Sequence, residues 1–263
     1  MSIVQAIIIA IIEGITEFLP VSSTGHMILA QHLMRMEDTE FAKTYEIVIQ
    51  LGAILAVLLL YIRRFFVSIT IYIKLLIAFL PTGVIGLLAY KFIKTYLFNP
   101  FTVSISLIAG GIVLILLDRW SAERKAVYKD IEDISYADAL KIGLIQCLSM
   151  IPGVSRAAAT IFGGIFAGFD RRQAAEFSFL LAIPTMFAAS AKDLWESKDL
   201  INGQNIQLLL IGSGGAFIVA MLAVKAFVAF LTRYGFKYFG YYRILLGVLF
   251  LAYALYTGME LSV

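Results

Sequence analysis

Apolar residues along this chain come in unbroken blocks of helical length, with polar residues confined between them. Crossing the hydrocarbon of a bilayer takes about 20 mostly apolar residues. The windows 45–62, 71–90, 101–117, 206–231 and 240–257 satisfy that and predict five membrane helices. The stretch 173–191 is more polar and contains Pro184, but Phe177 to Ala191 is apolar enough for a sixth, kinked span. Residues 3–34 and 142–168 break the pattern. Both are apolar at their ends and interrupted at their centres, by Leu19-Pro-Val-Ser-Ser-Thr-Gly-His26 and by Ile151-Pro-Gly-Val-Ser-Arg-Ala-Ala-Ala-Thr160. Each interruption carries a proline, hydroxyls and a charged or titratable side chain, a combination a continuous helix tolerates badly.

Composition narrows the class. The AVILMFWYC set makes up 61% of the 263 residues and only 15% are charged, against roughly 45–50% and 25% in soluble domains. With a mean hydropathy of +0.90, the chain reads as an all-α polytopic membrane protein with the lipid bilayer as its first partner. Disorder, collagen and a disulfide scaffold are excluded. A net charge of +3 is small, and in a membrane chain it reports orientation before it reports nucleic-acid binding, which is set aside. Cys147 is the single cysteine, so neither an intrachain disulfide nor a cysteine metal site is available, and packing is its expected role. Ile3 to Ile12 has the apolar character of a signal sequence. No basic residue precedes it, however, and Glu13 and Glu17 follow at once, so it reads as part of the membrane domain.

The basic residues choose between two topologies. If the interrupted regions are re-entrant hairpins, the loops on one side hold thirteen Lys and Arg, Arg63, Arg64, Lys74, Arg171, Arg172 and Arg243 among them, and those on the other hold six, including Lys192 and Lys198. If they are kinked spans, the same loops divide ten to nine. Inner-membrane proteins keep basic loops on the cytoplasmic side, so hairpins are favoured. Both termini are then extracytoplasmic. The first hairpin enters from outside and the second from the cytoplasm, with the two tips meeting near the middle.

The halves also resemble each other. Glu46-Ile-Val-Ile-Gln-Leu-Gly aligns with Glu176-Phe-Ser-Phe-Leu-Leu-Ala, and Pro20 with Pro152. A single membrane domain, 1–263, is thus expected to contain repeat 1 at about 1–120 and repeat 2 at about 135–263. Each is one hairpin plus three spans, and an odd number of crossings inverts the second copy. Inverted repeats with broken helices put a polar site at the repeat interface, so function is expected at the tips.

The tips carry the candidate chemistry. Glu13 and Glu17 are four residues apart and stack on one helical face, suited to sharing a cation or a proton; the alternative is that both lie solvated near the interface. Ser23 and His26, spaced i, i+3, could form an activated nucleophile; alternatively Ser22 or Ser23 caps a half-helix and His26 packs. His32 reads as structural or exposed. Pro152-Gly153-Val154-Ser155-Arg156 leads into a strong helix start whose free N–H groups make an anion site. Arg156 reads as the only arginine well inside an apolar region. Its forked guanidinium suits phosphate, and a bridge to Glu13 or Glu17 is compatible with that. Arg171 and Arg172 read as orientation signals, and Glu176 and Lys225 as a pair or as side chains that snorkel. The set fits phosphoryl transfer: carboxylates on a hard cation such as Mg²⁺ or Ca²⁺, Arg156 and a helix N-terminus on the phosphate, Ser23 attacking or positioning water, and His26 moving the proton.

At these residues the chain resembles the undecaprenyl pyrophosphate phosphatases of the bacitracin-resistance family. Their Glu/Gln-x-x-x-Glu motif and PVSSTGH tip correspond to Glu13-Gly-Ile-Thr-Glu17-Phe-Leu-Pro-Val-Ser-Ser-Thr-Gly-His26. Their Pro-Gly-x-Ser-Arg-Ser-x-x-Thr motif corresponds to Pro152-Gly-Val-Ser155-Arg156-Ala-Ala-Ala-Thr160. One position departs, since the family's serine after the arginine is Ala157. The resemblance extends over the whole chain, including Gln50-Leu-Gly-Ala. It implies hydrolysis of undecaprenyl diphosphate, a polyprenyl lipid substrate, to the monophosphate and inorganic phosphate at the outer face of the plasma membrane. A divalent cation is implied as cofactor. Carried over, Glu13 and Glu17 handle metal or protons, Ser23 is the nucleophile, His26 its base or a phosphate contact, and Arg156 the clamp. Gly153 belongs to the phosphate-binding turn, and Ser22, Ser155 and Thr160 are supporting donors. A homodimer is left open.

Two rivals follow. The type 2 phosphatidic-acid phosphatases need a histidine where this chain has Phe162. A transporter or flippase for a prenyl phosphate lipid shares the expected architecture, but has no need of the Ser23 and His26 pair.

Overall fold

The computed structural model describes residues 1–37, 39–66, 69–122, 124–196 and 205–258. Lys198, expected in a loop on the less basic side, lies outside them. The described residues form ten α-helices joined by turns and short 3₁₀ segments, with no strand among them. Six are long and apolar enough to cross a membrane: α3 (Glu40–Leu60), α4 (Ile69–Tyr96), α5 (Pro100–Ala122), α8 (Arg171–Glu196), α9 (Ile206–Tyr234) and α10 (Lys237–Thr257). They correspond one to one with the six apolar windows. The interrupted regions are four short helices, α1 (Ile3–Thr16), α2 (Ser23–Leu33), α6 (Tyr136–Gln146) and α7 (Arg156–Ala167). α1 packs on α2 and α6 on α7.

Hydrogen bonds fix where the short pairs open. Gln5 Nε2 donates to Met34 O at 3.3 Å, and Tyr45 at the start of α3 donates to Ala6 O at 2.6 Å, so the open end of α1 and α2 lies by the beginning of α3. At the far end of α3, Arg64 holds Glu176 at 2.6 Å and Asp130 at 3.1 Å. There the segment leading into α6 meets the end of α7, through Val127 N–H to Gly168 O at 2.8 Å. The two pairs enter the bundle from opposite ends. Asp118 completes the Arg64 end. It pairs with Arg171 at 2.8 Å and accepts the Phe236 N–H at 2.8 Å, tying α5 to the start of α8 and the α9–α10 turn. Glu176 therefore pairs with Arg64, not with Lys225 as the sequence suggested, because Arg64 reaches it from the end of α3.

Packing pairs in one half have counterparts in the other. α1 lies on α9 and α6 on α4; α3 contacts α9 and α4 contacts α8; α3 with α8 and α5 with α10 are each formed by corresponding helices. Pro81 and Pro184 lie inside α4 and α8. Each is followed by a threonine, and the buried Gln146 amide donates to both hydroxyls, at 2.7 Å to Thr82 and 3.4 Å to Thr185. Polar side chains thus gather where two helices lack a backbone donor.

The α5–α10 seam rests on two facing glycines. A Cβ on Gly111 would come within 2.6 Å of Gly240 O, and one on Gly240 within 2.6 Å of Gly111 O. Gly111→Ala is accordingly expected to push the helices apart and cost about 1–3 kcal/mol, read as a lower unfolding temperature in detergent. An unchanged midpoint would show that the seam has slack.

Candidate active site

Both tips are built the same way. α1 ends at Glu17, whose N–H bonds Glu13 O at 2.9 Å, and the chain turns through Pro20 to Ser22. Ser22 takes φ +70° and caps α2, its hydroxyl accepting from the Gly25 N–H at 3.4 Å. In the second tip Gly153 takes φ +93°. Ser155 then takes φ +75° and caps α7, accepting from the Ala158 N–H at 3.2 Å. A serine at positive φ is strained. In each tip the capping bond offsets part of that strain and leaves the hydroxyl proton free to donate elsewhere.

Arg243 locks these turns together. It is fully buried in α10, and all its bonds go to backbone carbonyls. Nη1 donates to Pro20 O at 3.1 Å and Val154 O at 2.9 Å; Nη2 donates to Gly153 O at 2.8 Å and Ser106 O at 3.0 Å; Nε donates to Leu107 O at 3.4 Å. One side chain therefore grips the first tip, the second tip and α5. Counting Arg243 among the loop residues that set orientation is corrected by this, as is reading Arg156 as the only arginine inside an apolar region. The signal was present in the sequence, since Arg243 falls within the apolar window 240–257.

Within the first tip the Ser23 hydroxyl donates to Glu17 Oε2 at 2.6 Å, and from the second tip Arg156 Nη2 donates to Glu17 Oε1 at 3.2 Å. Arg156 Nη1 is held by Ser178 O at 3.0 Å, the guanidinium lies 5.5 Å from the centre of the Phe18 ring, and buried Nε has no protein partner. A cavity of about 200 Å³ opens here. Glu17, Ser22, Ser23, Gly153, Ser155 and Arg156 all line it, so six residues singled out from the sequence share one space. Thr24, Gln50, Ser149, Thr185, Met186 and Ala189 line it as well. Of these, Gln50 was visible as a polar residue in the middle of an apolar span.

Three expected residues sit elsewhere. Glu13 is fully buried one turn behind Glu17, and neither of its oxygens has a hydrogen-bond partner. His26 does not pair with Ser23. Its Nδ1 is 2.7 Å from Ser22 O and its Nε2 2.6 Å from the Tyr242 hydroxyl, with the two rings stacked. The i, i+3 spacing put Ser23 and His26 on one face, but Glu17 lies closer to the serine. His26 instead fastens the strained Ser22 carbonyl to α10. Thr160 is fully buried, its hydroxyl shared between Arg156 O at 2.9 Å and Ser178 Oγ at 2.6 Å, so it braces the Arg156 turn rather than facing the cavity. Ala157, which replaces the expected serine, is buried in the core and away from the cavity lining.

The buried carboxylates bear on a cation. Among the described residues the Arg156 guanidinium is the counter-charge that pairs with Glu17, and neither Glu13 oxygen has a hydrogen-bond partner. Buried anions without donors are costly unless a cation or a proton joins them. Among the described residues no group of three or more His, Cys, Asp or Glu forms a metal cage. A hard cation would therefore fit only as a bridge, completing its oxygen shell with water and an oxygen-rich ligand.

Known proteins resemble this chain over nearly its whole length. A family model described as Bacitracin resistance protein BacA matches residues 6–249. A protein of Flavobacterium johnsoniae is 50% identical over 254 residues, covering 95% of this chain and 96% of the relative. One of Wolinella succinogenes is 50% identical over 253 residues, covering 96% and 98%. One of Bdellovibrio bacteriovorus is 48% identical over 262 residues, covering 100% and 99%. All three carry the name undecaprenyl-diphosphatase.

Arg243→Met would leave carbonyls in both tips without donors, at an expected cost of about 3 kcal/mol or more. Arg243→Lys, with three donors instead of five, should fall between. Thermal unfolding in detergent checks the order, and a Met variant as stable as the parent would show that the tips hold together without the clamp.

Proposed function

The chain belongs to the bacitracin-resistance BacA family, and we propose that the cavity between its two tips is where this multi-pass membrane enzyme hydrolyses undecaprenyl diphosphate. The observation that carries this placement is the Ser23–Glu17–Arg156 contact, in which one carboxylate receives the serine proton with one oxygen and holds the guanidinium with the other. The prenyl tail stays in the bilayer, where each buried CH₂ contributes about 0.8 kcal/mol, so only the diphosphate has to enter.

The terminal phosphate takes the unpartnered Nε of Arg156, the Ser22 and Ser155 hydroxyl protons and the N-terminal amides of α2 and α7. Glu17 is the general base. As Ser23 Oγ attacks the terminal phosphorus, its proton passes to Glu17, a serine–phosphorus bond forms and the bridging P–O bond breaks. Undecaprenyl phosphate leaves as an anion that needs no proton. Glu17 releases the Ser23 proton to cavity water, takes a proton from the water whose oxygen attacks the phosphoserine, and returns it to Ser23 Oγ as inorganic phosphate departs. Arg156 and the helix N-termini offset the charge that builds on the equatorial oxygens. His26 and Tyr242 hold the Ser22 turn, and Thr160 holds Arg156. A divalent cation such as Mg²⁺ or Ca²⁺ would be held by Glu13 and Glu17 and would supply charge neutralisation for the diphosphate.

Orientation belongs to the same proposal. The Arg64 and Arg171 end faces the cytoplasm, both termini lie on the other side of the plasma membrane, the short helix pairs are re-entrant hairpins, and the halves are inverted copies. The paired helix contacts and the opposed entry of α1/α2 and α6/α7 support this.

Purified protein with a divalent cation should release phosphate from a C15 or C55 prenyl diphosphate; no release above a boiled control would sink the assignment. Glu17→Gln and Ser23→Ala should each lower kcat by roughly 10²–10⁴, and Arg156→Ala by about 10²–10³. His26→Ala should be milder, and full turnover in Glu17→Gln would remove the proposed base. Chelation should abolish most turnover in the parent and have less to remove in Glu13→Gln. A cysteine at Lys125 should resist impermeant labelling in whole cells while one at Lys198 reacts.

A further inference from the structure

We propose that the end of the bundle opposite the termini carries a second binding site, for an anionic phospholipid, in a groove that shares no residue with the tip cavity. The groove has a volume of about 380 Å³ and lies where the ends of α5 and α9 meet the α7–α8 turn. Arg124, Arg171 and Arg172 line it together with the hydroxyls of Ser121 and Thr232. Among the described residues that line it, Asp170 is the one acid. It is engaged as the cap of α8, with Oδ1 accepting the Gln173 N–H at 2.7 Å. Asp118, behind the groove, is taken by Arg171. The Ser121 and Thr232 hydroxyls donate to Asp118 O and Ala229 O, and Arg171 is held by Ser121 and Asp118, so the described lining presents the Arg124 and Arg172 guanidiniums to whatever enters, the chemistry that holds a phosphate diester.

A second observation makes the ligand a lipid. The Arg124 guanidinium lies 3.8 Å from the centre of the Trp120 ring. Trp120 stacks on Phe166 at 6.2 Å and Phe166 on Phe162 at 6.3 Å, all three rings within 23° of parallel to their neighbours. Phe162 and Phe166 are one turn apart on α7, so the ladder runs from the groove toward the middle of the bundle. Trp120 is 38% exposed and Phe166 55%. In a membrane-embedded chain that surface faces acyl chains. A soluble anion would use Arg124 and Arg172 and have no need of the aromatic ladder; a neutral lipid would use the ladder and have no need of the two arginines. A phospholipid with net negative charge uses both. Such lipids are concentrated in the leaflet that the basic end faces in the proposed orientation.

The chain has two tryptophans, Trp120 and Trp195, so a Trp195→Phe variant leaves one reporter, at the groove. In nanodiscs of phosphatidylcholine, brominated phosphatidylglycerol should quench Trp120 more than brominated phosphatidylcholine at the same mole fraction. Arg172→Gln should weaken that preference about fivefold, and Arg124→Gln with Arg172→Gln should erase most of it, the size expected of single basic side chains at an anionic surface. Equal quenching by the two lipids, or a preference untouched in the double variant, would overturn the proposal. So would release of the bound lipid by inorganic phosphate at constant ionic strength, which would mark a soluble-anion site. The nanodiscs carry the same lipid in both leaflets, so the result does not depend on orientation. Phosphate release at the tips is a separate readout on separate residues.

Discussion

A helix broken within a bilayer must find protein partners for the carbonyls it frees, because no water is there to take them. This chain breaks two helices, at Pro20 and Pro152, and meets the obligation for both with one side chain. Arg243 donates to carbonyls of Pro20, Gly153 and Val154 and to two more on α5, from a position with no exposure at all. Guanidinium suits the task because its five donors spread in a plane and stay charged whatever surrounds them. Buried charge is costly when unpaired, and here carbonyl dipoles from three segments surround it in place of a carboxylate.

What the clamp holds is the geometry of the reacting groups. Glu17 and Ser23 belong to the first tip and Arg156 to the second, so the guanidinium reaches Glu17 only because the tips are joined. The strained φ of Ser22 and Ser155 follows from the same closure: a tight turn delivers each hydroxyl to the cavity while its oxygen caps the next helix. His26 and Tyr242 secure one turn, Thr160 and Ser178 the other. Groups that read as chemistry in a linear motif thus divide into those that reach the cavity and those that hold them there, which is how a rigid supporting shell keeps a site in register.

The six long helices were legible because hydrophobic length is a property of consecutive residues, and α3, α4, α5, α8, α9 and α10 lie where the apolar windows fell. The two breaks were legible for the opposite reason, as polar residues and proline where the pattern demanded neither. Partners were less legible. Ser23 and His26 share a helical face at i, i+3, yet the serine turns to Glu17, which lies across the tip and six residues earlier. Glu176 was matched with Lys225, but Arg64 reaches it from another helix end. Arg243 looked like one more basic residue among thirteen; only folding brings five carbonyls around it.

The sequence by itself determined the number of long helices, the location of both tips, the family resemblance and six of the residues that line the cavity, since each depends on local pattern or on a short motif. The tertiary structure decided which side chain touches which: Glu17 as the acceptor for Ser23, His26 turned toward Tyr242, Thr160 bonded to Arg156 O and Ser178, and Arg243 at the centre. The reason is physical. Helical periodicity fixes the face a residue occupies, but a hydrogen bond forms with whatever group of another segment lies within about 3 Å, and that distance is set by the packing of α5 and α10 around the joined tips.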